Sequence, residues 1–300
     1  MDIPHVPVLY QETLEAFIDI EDGYIIDCTT GYAGHSLGII SQNENIKLIC
    51  NDQDDEALAF SKNRLKDYEN RVIFNKGNFE HVLDKFKDYN IKGILADIGV
   101  SSLQLDKLQR GFGFESDTLD MRMDQTQDLD ANIVVNSYSQ VELENIFKEY
   151  GEVREYKKVA SLIVNNRPFS SAKELAEFLY KNMHKGKIHP ATLPFQGIRI
   201  EVNDELGVLK RLFESIELIK PKNCIIAIIS FHSLEDRIVK NYFKKWTKSC
   251  VCPPEAFRCT CGNDNALGKI LTKKPITPTK AEIKQNPRSR SSKLRIFRFD

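Results

Sequence analysis

The chain has 300 residues, 41% hydrophobic and 28% charged, with a formal net charge of −1. This is the composition of an ordinary globular chain, long enough for one large domain or two smaller ones. It excludes a bundle of membrane spans, since no apolar run approaches the roughly 20 residues that a span needs, and it supplies no global basic field.

The N-terminus, MDIPHVPVLYQE, is acidic and broken by prolines. It resembles neither a secretory signal nor a transit peptide, so a cytoplasmic location is expected. Tyr24 to Cys28 is an apolar β run, followed by the loop Thr29-Thr30-Gly31-Tyr32-Ala33-Gly34-His35-Ser36 and a helix start. A second run, Ile46 to Cys50, ends in Asn51-Asp52-Gln53-Asp54. The helix after it carries Ala57, Leu58, Phe60, Ser61 and Leu65 at helical spacing. Arg71 to Phe74 is a third strand, leading to Lys76-Gly77-Asn78-Phe79. Ile94 to Ile98 is the fourth, interrupted by one acid, Asp97, and ended by Gly99. Strand and helix signals alternating in this way predict a doubly wound, mostly parallel sheet of Rossmann-like α/β type.

From about Leu105 to Gly207 the period is helical. Val141, Leu143, Ile146, Phe147 and Tyr150 make one apolar face, and Tyr156, Val159, Ala160, Leu162, Ile163 and Val164 another. Ser171 and Glu174 have capping-box spacing ahead of Leu175, Phe178 and Leu179. Strands resume at Cys224 to Ser230, near Lys269 to Leu271 and at Leu294 to Phe299. The simplest organisation is a discontinuous α/β domain, residues 1–104 and 207–300, with a helical domain, 105–206, inserted after the fourth strand.

A glycine-containing loop after the first strand and an acid at the end of the second are the general arrangement for an adenosine-containing cofactor. The glycines let the backbone come close, and the acid accepts hydrogen bonds from ribose hydroxyls. Here the loop is Gly31-Tyr32-Ala33-Gly34 and the acid is Asp52. The loop does not read G-x-G-x-x-G, which argues against a nicotinamide enzyme, and no Gly-Lys-Ser/Thr follows it, which excludes a P-loop. Phe79 after the third strand can hold an adenine against its ring, and Asp97 after the fourth lies where ligands bind in open α/β sheets. Four strand ends with polar or aromatic residues fit S-adenosylmethionine better than a dinucleotide.

Charge is unevenly spread. From Ala266 onward the basic residues are Lys269, Lys273, Lys274, Lys280, Lys284, Arg288, Arg290, Lys293, Arg295 and Arg298, against only Glu282 and Asp300. A smaller cluster, Arg237 to Lys248, includes Lys240, Lys244, Lys245 and the single tryptophan, Trp246. Such asymmetry is the footprint expected for phosphate contacts.

The ordered motifs of the chain resemble the bacterial small-subunit ribosomal RNA cytosine-N4 methyltransferases, the RsmH or MraW family. They include His5-Val6-Pro7-Val8-Leu9, Ala33-Gly34-His35-Ser36, Asp97-Ile98-Gly99-Val100-Ser101-Ser102 with Gln104, and Leu119-Asp120-Met121-Arg122-Met123-Asp124. Tyr150-Gly151-Glu152, His189-Pro190-Ala191-Thr192, Ser230-Phe231-His232-Ser233-Leu234-Glu235-Asp236 and Asn286-Pro287-Arg288 continue the series. The resemblance implies a class I methyltransferase fold and S-adenosyl-L-methionine as cofactor, held by Ala33, Gly34, His35, Asp52, Phe79, Asp97 and Gln104. It also implies a target cytidine amine in the decoding region of 16S ribosomal RNA and a partner in the small ribosomal subunit. Four positions depart from the family pattern: Tyr32 and Ala33 in the cofactor loop, Thr118 in place of proline, and Val153 in place of glutamate.

Methyl transfer to an amine is a direct displacement, so the enzyme's task is alignment, and no attacking cysteine is required. Asp97 is the candidate catalytic residue, orienting the cofactor's methionine end or the target amine; the competing reading is an acid that caps the following turn. His232 and Glu235 are candidates for the target-base pocket, with a structural role for His232 as the alternative. Arg110, Arg122 and Arg199 are candidates for clamping phosphate or stacking on a splayed base, with internal ion pairs as the alternative. A ribosome-assembly factor that binds RNA without turnover is the non-catalytic alternative for the whole chain.

The cysteines fall in two groups. Cys28, Cys50 and Cys224 lie in apolar runs as small core residues. Cys250-x-Cys252, beside Pro253-Pro254, and Cys259-x-Cys261 leave two readings open, a structural zinc site or reduced thiols in a loop, because their spacing is tighter than the usual separation.

Overall fold

The computed structural model describes residues 7–253 and 255–300; His5 and Val6 of the N-terminal motif, and Pro254, lie outside the described residues. The chain divides into two compact units, Met1–Gly99 with Gly207–Asp300 and Val100–Leu206.

The first unit is built on a seven-stranded sheet. Its strands are β1 (Gly23–Asp27), β2 (Ile46–Asp52), β3 (Val72–Lys76), β4 (Ile91–Asp97), β5 (Ile225–Ser230), β6 (Gly268–Ile270) and β7 (Lys293–Phe299), in the order β3-β2-β1-β4-β5-β7-β6. β1 to β5 pair in parallel, and β7 runs antiparallel to both β5 and β6. This is the doubly wound Rossmann-like fold that the sequence predicts, and each strand falls within a few residues of its predicted run. The chain winds outward from β1 to β3 and then returns to place β4 on β1's other side. The carboxyl ends of β1 and β4 therefore flank the switch point, where open α/β sheets bind ligands.

Both faces of the sheet are buried, as the near-continuous apolar runs require. Alternate residues feed opposite sides. Ile26, Ile49, Ile94, Ile226, Ile228 and Phe297 join one core cluster. Ile25, Leu48, Leu95, Ala227, Ile229 and Ile296 join the other. The helices before the switch are α1 (Tyr10–Phe17), α2 (Gly34–Gln42), α3 (Asp55–Arg64) and α4 (Val82–Phe86). α1 and α2 cover the second cluster with Leu14, Phe17, Ile39 and Ile40. α4 covers the first with Val82, Leu83 and Phe86. α1 is not legible in the sequence, since Pro7 and the polar positions hide its short apolar face.

The second unit is helical: α5 (Ser102–Asp106), α6 (Ala131–Ser137), α7 (Gln140–Asn145), α8 (Tyr156–Asn165), α9 (Ala172–Asn182) and α10 (Thr192–Asn203). Its own core gathers Val134, Leu143, Phe147, Val159, Ile163, Leu175, Leu179 and Ile198. α7 ends in a wider π turn over Ile146–Tyr150, and Ser139 with Glu142 closes a full capping box at its start. At α9, Ser171 Oγ accepts the Glu174 N–H at 3.1 Å, as the spacing predicts. The Glu174 carboxylate, however, accepts from the N–H and hydroxyl of Ser170 instead of returning to Ser171.

The chain continues through α11 (Glu205–Ile219), then α12 (Ser233–Trp246) and α13 (Lys280–Gln285). Val239, Phe243 and Trp246 of α12 join the first core cluster, with Leu209, Leu212, Phe213 and Ile216 of α11. Trp246 is only 1% exposed, with ring centroids 5.5, 5.3 and 4.9 Å from Phe213, Phe297 and Phe299. This corrects its grouping with a nucleic-acid footprint: the tryptophan is core. Cys28, Cys50 and Cys224 are buried free thiols, as expected, and no described helix is long and apolar enough to cross a membrane.

Candidate cofactor site at the strand ends

Asp27, at the end of β1, is 2% exposed. Its Oδ1 accepts the Thr29 N–H at 3.2 Å and its Oδ2 accepts the Ser36 hydroxyl at 2.5 Å. Burial raises its carboxyl above the usual range, against the Ser36 hydrogen bond. The side chain thus ties both ends of the loop between β1 and α2. Asp27 is absent from the sequence-predicted site, although an acid inside the run YIID is itself the signal, because burying a carboxyl is costly unless it holds something in place.

Within that loop Gly31 takes φ 50° and donates its N–H to Asp52 Oδ2 at 2.8 Å. Asp52 Oδ1 accepts the Asp54 N–H at 2.9 Å. Burial pushes the Asp52 carboxyl up to about 6, while the Asp54 and Gly31 amides pull it down. Both oxygens are aimed by the backbone and keep further lone pairs for a hydroxyl donor. Tyr32 departs from the family pattern and has local partners. Its ring meets Phe60 of α3 edge-on at 4.6 Å, and its carbonyl accepts Arg64 Nη1 at 2.7 Å. Ala33, the other departure, sits in the left-handed region at φ 54° with its methyl fully buried, and caps α2. At Gly34 a Cβ would run into the Pro7 ring, so only glycine fits.

His35 follows on α2, 6% exposed, with neither ring nitrogen hydrogen-bonded in the chain. Its Nε2 stands 3.7 Å from Asp97 Oδ2, too far for a hydrogen bond. Asp97 closes β4; its N–H donates to Thr29 Oγ1 at 2.8 Å, joining the β1 and β4 loops. Its Oδ1 is buried without a partner. Leaving a buried polar atom unpaired costs about 1–3 kcal/mol. Three such atoms together, at the switch point, are what a polar ligand would satisfy, and on this observation the residues fit the charged amino-acid end of S-adenosylmethionine.

The β2 and β3 ends are joined by Asn51, fully buried. Its Nδ2 donates to the carbonyls of Cys28 and Gly77, each at 3.0 Å, and its Oδ1 accepts from Asn75 Nδ2 at 2.7 Å. This strut was not read from the sequence; an asparagine at the end of the run IKLIC is its only trace. Phe79 is partly buried and packs against the core, so its ring is fixed beside the strand ends and leaves part of its surface accessible.

The structure therefore gathers Ala33, Gly34, His35, Asp52, Phe79 and Asp97 at the strand ends of one unit. Gln104 belongs to the other unit, where its Oε1 accepts the Ser101 N–H at 3.0 Å and its own N–H donates to Ser101 Oγ at 3.3 Å. His232 caps α12: its Nδ1 accepts the Glu235 N–H at 3.5 Å, while Glu235 Oε2 accepts the N–H of Phe231 at 2.8 Å and of His232 at 3.2 Å. Of its two readings, the structural one has direct geometry.

For the three arginine candidates the structure shows internal partners, and for Arg122 and Arg199 these are the ion pairs given above as the alternative. Arg110, 3% exposed, donates through Nη2 to the carbonyls of Arg122 and Met123. Arg122 pairs with both oxygens of Asp120, at 2.8 and 3.0 Å. Arg199 pairs likewise with Glu205, at 2.7 and 3.0 Å. Each supports the helical unit's own loops. In the basic C-terminal segment, Lys293 and Arg295 pair with Asp236. Lys269, Lys273, Lys274, Lys280, Lys284, Arg288, Arg290 and Arg298 are exposed.

A sequence model described as the MraW methylase family matches residues 2–300. The chain is 78% identical, over the full length of both, to "Ribosomal RNA small subunit methyltransferase H" of Aliarcobacter butzleri (strain RM4018). It is 59% identical to the protein of the same name in Sulfurimonas denitrificans, over 98% of each chain. With the match running from end to end and through every strand that builds the site, the chain belongs to the MraW methylase family.

Proposed function

We propose that this protein methylates the N4 amine of a cytidine in the decoding region of 16S ribosomal RNA. Membership of the methylase family makes the reaction class methyl transfer to ribosomal RNA from S-adenosylmethionine. The specific target rests on the resemblance of the ordered motifs. The observation that carries the site is the set of buried, unpartnered atoms of His35 and Asp97 at the switch point.

When bound, the cofactor supplies an electrophilic methyl on a sulfonium. Asp52, aimed by the Gly31 and Asp54 amides, accepts from the ribose hydroxyls, and Phe79 offers its ring to the adenine. Ala33 and Gly34 bring the backbone alongside, and His35 and Asp97 take the charged methionine end. Asp97 Oδ1 is also suited to accept a hydrogen bond from the incoming amine, whose lone pair is otherwise drawn into the cytosine ring. Gln104 is assigned to the cofactor on the resemblance of the ordered motifs alone. That unit positions the RNA, with the exposed basic residues of the C-terminal segment as a second backbone contact. The small ribosomal subunit is the proposed partner and the cytoplasm the compartment.

Mass analysis of the decoding-region nucleotides after incubation of unmethylated small subunits with protein and cofactor tests the target. One added methyl on a cytidine amine is expected, and its absence, or a methyl on ring carbon, rejects it. Asp97→Ala lowers turnover by about 100-fold or more; near-normal turnover removes Asp97 from the chemistry.

A further inference from the structure

The connection from Trp246 to Gly268 has an unusual construction. Its base is pinned by the Leu267 N–H on the Trp246 carbonyl, at 2.8 Å, and by the Asn265 N–H on the Ser249 carbonyl, at 3.0 Å. Beyond that base, none of the described residues in 247–266 is buried, and Phe257 is fully exposed. Long loops without secondary structure are uncommon in compact domains, and this one has no apolar interior to order it.

It has sulfur instead. The Sγ atoms of Cys250, Cys252, Cys259 and Cys261 all lie within 4.8 Å of one another. Cys250 and Cys259 are 3.7 Å apart, Cys250 and Cys261 3.8 Å, and Cys259 and Cys261 3.5 Å. A tetrahedron with metal–sulfur bonds of about 2.3 Å has edges of about 3.8 Å. A disulfide needs one short separation of about 2.05 Å; here the spacings are alike and all four thiols are free. The tight Cys-x-Cys spacing is thus no obstacle.

The backbone is turned toward the sulfurs. The Val251 N–H donates to Cys261 Sγ at 3.4 Å, and the Thr260 N–H to Cys252 Sγ at 3.3 Å. After Cys261 the chain takes φ 82° at Gly262 and 56° at Asn263, and the Asn263 amide also reaches the Cys261 sulfur. Amides around a sulfur favour its thiolate and are the outer shell that a thiolate ligand needs.

We propose that Cys250, Cys252, Cys259 and Cys261 bind a structural zinc ion as four thiolates. Binding joins Zn²⁺ to the sulfurs and releases each remaining thiol proton to solvent, with no change of oxidation state. Four protein ligands leave no open position, so the ion holds the loop and takes no part in methyl transfer.

The test is metal analysis of the full chain, purified reduced and without chelator. About one zinc per chain is expected, and cobalt put in its place should give the absorption of a tetrahedral thiolate site. Replacing the pair, Cys259→Ser with Cys261→Ser, should lower retained zinc by about tenfold or more. It should also speed proteolytic cutting within 250–261 in a chain whose thermal unfolding still shows a folded sheet. Wild-type protein that carries no stoichiometric metal, takes up no cobalt and offers these four thiols freely to a thiol reagent overturns the proposal. So does recovery of the four as disulfides from reduced preparations.

Discussion

Asp97 and His35 lie 3.7 Å apart at the head of β4 and α2, each with buried polar atoms that the chain leaves unpaired. In the proposed site the ligand recovers their free-energy cost, which gives His35→Leu a distinctive signature. Removing an unsatisfied buried group is close to neutral for folding. The variant should therefore melt within a few degrees of wild type while losing about tenfold or more in donor affinity. A variant that melts far lower, yet binds as well as wild type, would make His35 a core residue and nothing more. Asp52 supplies a second handle. Burial lifts its carboxyl from 3.8 to about 6, so within that window the folded chain holds a proton that the unfolded chain has released. Its contribution to stability accordingly falls as pH rises from 4 toward 6. Donor affinity should move the other way, rising through about pH 6 as the carboxylate that receives the ribose forms. An affinity flat from pH 5 to 7 would take Asp52 out of the ribose contact.

At the scale of elements, the loop between β1 and α2 has little room to vary. Asp27 grips Thr29 and Ser36 at its two ends, Asp52 holds Gly31, and Pro7 closes over Gly34. Gly34→Ala should cost about 1–3 kcal/mol by overpacking, read as a lowered melting temperature with a loss of donor affinity. Unchanged melting would mean that Pro7 gives way freely. These elements were unequally legible in the sequence. Apolar runs such as IKLIC and CIIAIIS mark buried parallel strands directly, and acids or glycines at their ends mark the loops, so Asp52, Gly34 and Asp97 could be read in place. Asn51 and Asp27 could not: their value lies in contacts with Cys28, Gly77, Thr29 and Ser36, which only the folded register brings together. The arginines were left with two readings for the opposite reason. A chain of residues shows that Arg122 and Arg199 are charged and allows an ion pair for each, but only the fold names Asp120 and Glu205 as the partners.

At the scale of the whole molecule, net charge is −1 while the C-terminal segment exposes Lys269, Lys273, Lys274, Arg288 and Arg290. RNA recognition then depends on a local patch, and its affinity should fall as salt rises. Each phosphate contact adds about 0.7–0.9 to the slope of log affinity against log salt. Lys273→Glu with Lys274→Glu should weaken small-subunit binding and flatten that slope, leaving donor affinity as it was. An unchanged slope would place the RNA contact elsewhere.

The central claim is that the strand-end loops of this chain hold S-adenosylmethionine. Calorimetric titration of the intact, folded protein with S-adenosylhomocysteine tests it most directly. Saturable binding at about one site per chain is predicted, with the complex melting higher than the free protein and NAD giving no such shift. No heat of binding and no shift in melting, in protein shown to be folded, would contradict it.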